Sequence, residues 1–403
     1  MTFLNDPINF IATWLTGLLS GWGLGDDLIK VILTVMGIFA TAGFVLLIDI
    51  LLVWFERKLV ARLQDRIGPN RLGPYGLIQP IADVIKLLIK EDITPTTAHR
   101  IVYNIAPIIA LATVLLLWAV IPFGPRILGT DLNVGILFIV AMGAIGTLGI
   151  IMAGWASNNK YALLGAFRAV AQMISFEIPM VLVLLVPVLL ARSMGINTIV
   201  QSQEIWYIVF APLGALIFFL SAQAELGRAP FDLPEAESEI VAGFHTEYSG
   251  MKFGMFYAGE LLHALTFGAI FSALFLGGWR GPWAETYPIL GVVYLFIKAF
   301  LLYFAFGWVK YSMPRLRVDQ MLNFNWKMLT PLALALVITT AILSKLLEGV
   351  QIWLQAGIFF AANVILVLIT VQILRTFARG ERERVSGPRP VAISPEPPSA
   401  DIS

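Results

Sequence analysis

Long apolar runs separated by short polar connections dominate the 403-residue chain. Runs of spanning length occupy residues 28–54, 101–123, 133–155, 168–191, 206–224, 253–278, 288–309, 329–347 and 352–374. Each is near the ~20 residues that a helix needs to cross the hydrocarbon core of a bilayer. Helices are the expected form, because backbone N–H and C=O groups in lipid must be satisfied within the segment itself. The pattern predicts an all-α polytopic membrane protein with about nine transmembrane helices. Residues 1–27 (MTFLNDPINFIATWLTGLLSGWGLGDD) carry no Lys or Arg. They therefore lack the basic start of a signal peptide and are expected to form an interfacial amphipathic segment.

The connections set the orientation. With the N-terminus outside, segments 56–100, 156–166, 225–252, 310–328 and 375–403 face inward and together hold 20 Lys and Arg. The outward connections hold only Arg126, Arg192 and Arg280. Excess positive charge marks the cytoplasmic side. The expected organisation is thus a periplasmic-side segment over 1–27 and a core of eight spans over 28–347 with cytoplasmic loops 56–100 and 225–252. A further C-terminal span covers 348–375, and a basic, then proline-rich, cytoplasmic tail expected to be disordered covers 376–403. Glycines 143, 146, 149 and 154 give the third span a small-residue face for close helix contact, while Pro107, Pro179, Pro187 and Pro212 interrupt helical ladders or their ends.

Composition narrows the chemistry. The chain is 58% hydrophobic and 13% charged, with a net charge of +1, which gives no basic footprint for nucleic acid. It contains no cysteine, so disulfides, thiol nucleophiles and cysteine-held iron–sulfur clusters are excluded for this chain alone. Its histidines, His99, His245 and His263, fall where they do not face one another as haem or metal ligands would, and no metal or haem is expected.

The most polar stretch is AELGRAPFDLPEAESEIVAGFHTEYSGMKF, running from Ala224 and set between two apolar runs. It carries Glu225, Glu235, Glu237, Glu239, Glu247 and Asp232 against Arg228 and Lys252. Pro234 can open a helix there, which would put Glu235 and Glu239 on one face and Glu237 on another. A solvated charged face is the ordinary reading of such a run. Here Phe231, Ile240, Val241, Phe244 and Phe253 leave little of it polar enough to stand in water. Within the spans the ionisable residues are few: Asp49, Glu177, Glu260 and Lys298, with Arg168 near a border. An acid in the hydrocarbon region is expensive to keep, so the default reading is a group on a proton or ion path, and the alternative is a protonated acid bonded to a neighbouring helix. In the first inward loop, Gly68-Pro69 and Gly73-Pro74 force turns, and residues 78–90 show helical apolar spacing. Lys58, Arg71 and Lys90 suit lipid headgroups, whereas Arg57, Arg66 and Asp83 suit a polar groove folded back at membrane depth.

Several separated motifs resemble one family. They are Glu56-Arg57-Lys58, RIGPNRLGPYGLIQPIADVIKLLIKE, GWASNNKYALLGAFRAVAQMISFEIP, the acidic stretch above and PRLRVDQMLNFNWK. The chain resembles subunit 1 of respiratory complex I, the H-subunit family of bacterial proton-pumping NADH:quinone oxidoreductase, from about Leu52 to Leu347. The ninth span and the tail exceed the shorter organellar form. The resemblance implies a multi-subunit translocase in the bacterial inner membrane, in which this subunit forms most of a chamber for ubiquinone or menaquinone and carries no redox centre. The implied partners are cluster-bearing hydrophilic subunits, which supply the electrons, and small and antiporter-like membrane subunits. Matching positions assign Arg57, Arg66, Asp83, Arg228 and Phe231 to the quinone cavity. Glu225, Glu235, Glu237, Glu239 and Glu247 match acids leading out of it, and Glu177 and Glu260 match acids continuing into the membrane. Alternatives are the corresponding subunit of a membrane-bound hydrogenase or formate hydrogenlyase, and a self-sufficient ion transporter. The long Glu56–Glu91 match and the intact HTEYSGMKF segment speak against the first, and the lack of related halves speaks against the second.

Overall fold

The computed structural model describes residues 6–22, 25–234 and 237–386. The chain folds in the order α1 (Pro7–Ser20), α2 (Asp26–Leu63), α3 (Gln79–Ile89), α4 (Arg100–Leu117), α5 (Gly135–Ala156), α6 (Lys160–Ala191) and α7 (Ile196–Ser202). It continues through α8 (Tyr207–Phe210), α9 (Pro212–Glu225), α10 (Glu237–Ile240), α11 (Gly250–Phe275), α12 (Pro288–Ser312), α13 (Val318–Phe324), α14 (Thr330–Leu346) and α15 (Ile352–Ser386). No strand occurs among the described residues. Among them, eight helices are long and apolar enough to cross a membrane: α2, α4, α5, α6, α11, α12, the continuous α13–α14 unit and α15. The protein is thus an all-α, multi-pass membrane protein.

The bundle is organised around α11. Of its most apolar stretch 83% is buried inside the molecule, against 11% for α2 and for α15, whose apolar outer faces are the surfaces left for lipid or neighbouring chains. Close approach depends on small residues. A Cβ at Gly268 would come within 2.7 Å of the Ala299 carbonyl oxygen of α12. One at Gly154 would collide with the Ala166 Cβ of α6. Lys298 of α12 donates to the carbonyls of Leu276, Gly278 and Arg280, at 2.8, 2.8 and 3.0 Å, and so places a cation at the C-terminal end of α11 where the helix dipole favours one.

Four features refine the sequence expectations. Helix α2 runs to Leu63, so Glu56, Arg57 and Lys58 lie inside it and not in the following loop. No helix breaker occurs before Gly68-Pro69, and Leu59, Val60 and Leu63 continue the apolar periodicity. The fifth apolar run is helical in two pieces, α8 and α9, broken at Ala211 (φ −137°, ψ 64°) just ahead of Pro212, as the restricted residue before a proline requires. In the acidic stretch, α10 is a single turn, and the chain then turns at Gly243 (φ +67°), whose Cα would lie 2.8 Å from a Cβ at Gly165. Lastly, α15 continues beyond its apolar part to Ser386, while residues 387–403 lie outside the described residues.

Candidate functional site

Val45, Ile48, Asp49, Leu52 and Glu56 form the buried face of α2, at the spacing that stacks side chains along one side of a helix. That face ends on Glu56, which meets α12. Tyr303, Lys310 and Tyr311 project toward it from about two turns of α12. Glu56 accepts from Tyr303 Oη at 3.1 Å, Lys310 Nζ at 3.0 Å and Tyr311 Oη at 2.5 Å. Opposite lies Arg228, 1% exposed. Its Nε donates to Glu260 Oε1 of α11 at 3.2 Å, and a terminal nitrogen stands 3.7 Å from Glu56 Oε2. Lys310 reaches Glu260 as well, at 3.6 Å, and the Tyr303 ring lies 5.7 Å from the guanidinium. Two acids and two bases therefore share one cluster and balance in charge, with Glu56 and Arg228 buried and Glu260 and Lys310 partly exposed. Desolvation costs several kcal/mol per ion in a protein interior, so the balance is what makes the cluster tolerable. Both terminal nitrogens of Arg228 are buried without a hydrogen-bond acceptor, which leaves the guanidinium capacity for water or a bound acceptor.

Arg228 is held by its loop. Gln172 of α6 donates to the carbonyls of Ala224 and Phe231 at 2.5 and 2.6 Å, and Gln223 of α9 donates to that of Ala229 at 2.7 Å. Gly227 supplies the positive φ of +63° that the turn requires. Phe231 is buried against Phe176 and Phe324, with ring centroids 5.0 and 6.4 Å away, so it packs the base of this loop.

On the next face of α2, Arg57 pairs with Asp83 of α3 at 2.5 Å. Between the end of α2 and the loop that follows it opens a recess of about 620 Å³, lined among others by Trp54, Lys58, Arg62, Arg66 and Tyr75. Trp54 Nε1 donates to the Tyr75 carbonyl at 3.1 Å and ties the α2–α3 loop back onto α2. Among the described residues the Arg66 side chain bonds only Gln64, at 2.8 Å, so its guanidinium keeps most of its donors for other acceptors.

A second, more enclosed cavity of about 130 Å³ lies between α4, α5, α9 and α11, with Glu225, Glu260, His245, His263, Tyr257, Thr113 and Thr147 as its polar lining. Glu225 is buried and its Oε2 has no hydrogen-bond partner. Gly143 of α5 is what admits it, since a Cβ there would lie 3.3 Å from Glu225 Oε1. Glu177 of α6 is an electrostatic neighbour of Glu225. The remaining acids are held apart. Glu239 pairs with Arg168 and, at 3.3 Å, with Arg315, and the Arg168 hydrogen bond holds its carboxyl below the ordinary carboxylate range. Glu247 accepts from Asn159 Nδ2 at 2.6 Å. Burial pushes the His245 ring below its usual value, a change that Glu260 opposes. Glu235 and the side chain of Glu237 lie outside the described residues.

The structure thus brings Arg228 and Glu260 together, pairs Arg57 with Asp83, and sets Glu225 near Glu177. It adds Glu56, Tyr303, Lys310 and Tyr311, and His263 in the cavity wall, which the sequence left outside the candidate set. Glu56 stands seven residues after Asp49 on the same helical face, and Lys310 seven after Tyr303. That spacing is the available signal, but it does not reveal that the two faces meet. No group of three or more His, Asp or Glu suited to a metal ion occurs among the described residues.

The sequence profile of the family described as NADH dehydrogenase matches residues 35–341. A protein of Dehalococcoides mccartyi (strain CBDB1), named as the H subunit of NADH-quinone oxidoreductase, is 49% identical over 328 residues, covering 81% of this chain and 91% of its own length. Similar relatives bearing the same H-subunit name come from Geobacter metallireducens, 48% identical over 299 residues (72% and 89% coverage), and Brevibacillus brevis, 46% identical over 298 residues (74% and 89%). This chain therefore belongs to the NADH dehydrogenase family, alongside proteins named as the H subunit of NADH-quinone oxidoreductase.

Proposed function

We propose that this protein is the membrane subunit of a proton-pumping NADH:quinone oxidoreductase that forms the wall of the quinone chamber and passes the effect of quinone reduction into the membrane. The observation that carries the reading is the neutral cluster Glu56–Arg228–Glu260–Lys310. Through Glu260 the cluster borders the cavity of Glu225, and the basic recess of Lys58, Arg62 and Arg66 lies further along α2. Quinone, ubiquinone or menaquinone, is a substrate here, and its reduction takes two electrons and two protons to give the quinol. Arg57, Arg66 and Arg228 stabilise negative charge as it develops on the quinone oxygens, Asp83 orients Arg57, and Phe231 holds the Arg228 loop in place.

A balanced cluster responds to one added charge. A negative headgroup draws Arg228 or Lys310 away from the carboxylates, and Glu260 then gains affinity for a proton. The scale is sufficient: moving one elementary charge against 100 mV takes ~2.3 kcal/mol, while losing a partner from a buried pair costs about 3–5 kcal/mol. From Glu260 the path runs to Glu225 and Glu177 and on to neighbouring membrane subunits. Glu235, Glu237, Glu239 and Glu247 line the cytoplasmic approach. Electrons come from a cluster-bearing hydrophilic subunit, and no redox centre is assigned to this chain. The same reading places the protein in a bacterial inner membrane, N-terminus outside and C-terminus in the cytoplasm, in keeping with the Lys and Arg distribution. Photocrosslinking of the assembled complex with a reactive quinone analogue tests it. Labelling is expected within residues 54–83 and 228–231; displaceable labelling confined to other subunits would overturn the chamber assignment.

A further inference from the structure

The cavity between α4, α5, α9 and α11 has mostly apolar walls, among them Val114, Leu117, Ile150 and Phe256, and its polar lining is concentrated on a few groups. Glu260 belongs to the cavity and to the Arg228–Lys310 cluster at once. Glu225 reaches the cavity from the end of α9 with one carboxyl oxygen unbonded. Between them in chemical role stands His263, three residues after Glu260 on α11, and therefore on the same face one turn along.

The His263 ring is fixed in plane by stacking on Phe267, at a centroid distance of 4.5 Å and an angle of 24°. Neither ring nitrogen is engaged by a hydrogen bond with another described residue, although the ring lines the same cavity as Glu225 and Glu260. About 130 Å³ is room for several waters, since one needs roughly 10–15 Å³ on this measure. Water held in a cavity of this size beside titratable groups would let a proton be handed on. The charged or titratable groups around the ring are Glu260 and Tyr257 on its own helix, Glu225 from α9, Arg228 from the following loop, and His245 across the cavity.

We propose that His263 relays a proton between Glu260 and Glu225 through the water of this cavity, an inference that rests on the proton-transfer reading above. In the transfer, one ring nitrogen takes the proton released by the Glu260 carboxyl while the other gives its own proton to water beside Glu225. Glu260 becomes the carboxylate, Glu225 the acid, and the ring stays neutral in its other tautomer. The first tautomer is restored by the reverse transfer, or by one nitrogen losing a proton to water in the cavity while the other takes one up. Neutral imidazole suits this step because it donates and accepts at once.

The test uses the assembled complex in sealed vesicles. His263→Gln keeps hydrogen bonding and volume but cannot carry a proton, and His263→Asp restores a group that can. The expected result is proton pumping reduced by about tenfold or more in His263→Gln, partly recovered in His263→Asp, with the same amount of this chain in the purified complex. Full pumping in His263→Gln, equal loss in both variants, or failure of both to assemble would each overturn the proposal. Glu225→Gln is the control. Lost pumping there beside full pumping in His263→Gln defeats the relay alone, whereas full pumping in both defeats the path itself.

Discussion

Glu56 shows at the scale of single residues how far function depends on packing. It is one of several acids in the sequence, placed in a motif with Arg57 and Lys58, and nothing in its neighbours along the chain marks it as buried. What buries it is contact with residues some 250 positions away, Tyr303, Lys310 and Tyr311. Arg228, by contrast, entered the candidate set through the family resemblance, since its own neighbours mark it only as a base among acids. For Glu56→Gln the expectation is definite. The change leaves Arg228 and Lys310 with Glu260 as their only carboxylate in the cluster, and the uncompensated buried charge is expected to destabilise the subunit by about 3–5 kcal/mol. The drop is read as a lowered midpoint for thermal unfolding of the purified complex. A second change, Lys310→Met, removes one positive charge and is expected to restore part of the loss, because the pair of substitutions returns the cluster to neutrality. Additive destabilisation by the two changes would show that the charges do not couple.

At the scale of elements, the long apolar runs declared themselves, since each must satisfy its own backbone in lipid. The exceptions have local causes. Pro212 breaks the fifth run into α8 and α9, and the sequence carries the proline but not the means by which the broken ladder is satisfied. That means is α15. Its buried Asn363 donates from Nδ2 to the carbonyl of Phe210, the last residue of α8, at 3.0 Å, and the rings of Phe210 and Phe359 meet edge to face at 5.8 Å. The C-terminal helix, which lies beyond the region matched by the family profile, is thus fastened to the core at its weakest span. Asn363→Leu strands the Phe210 carbonyl in an apolar setting, and the expected cost is about 1–3 kcal/mol. It should appear as earlier thermal unfolding and as faster proteolysis in the α8–α9 region. An unchanged midpoint would mean that α15 merely leans on the bundle. In the acidic stretch, where Pro234 can open a helix, the described part of α10 is one turn that ends at Ile240, where Val241 takes a φ of +66°, and Gly243 then turns the chain into contact with Gly165.

For the whole molecule, two spaces and one cluster define the arrangement: a basic recess along α2, a small polar cavity beside α11, and between them four charges that cancel. The acids identified from sequence do not form one continuous wire. Glu239 is tied to Arg168 and Arg315, Glu247 to Asn159, and only Glu225 and Glu260 share a cavity among the described acids. The proposed route therefore draws on groups other than glutamate, namely water and His263. The central claim is that charge arriving with the quinone moves a proton through the Glu225 cavity. Its most direct measurement is NADH-driven proton uptake into sealed vesicles by complexes carrying Glu225→Gln, normalised to quinone reduced. A fall of about tenfold or more is predicted with the assembled complex intact; an unchanged ratio of protons pumped to quinone reduced, at an unchanged rate, would contradict it.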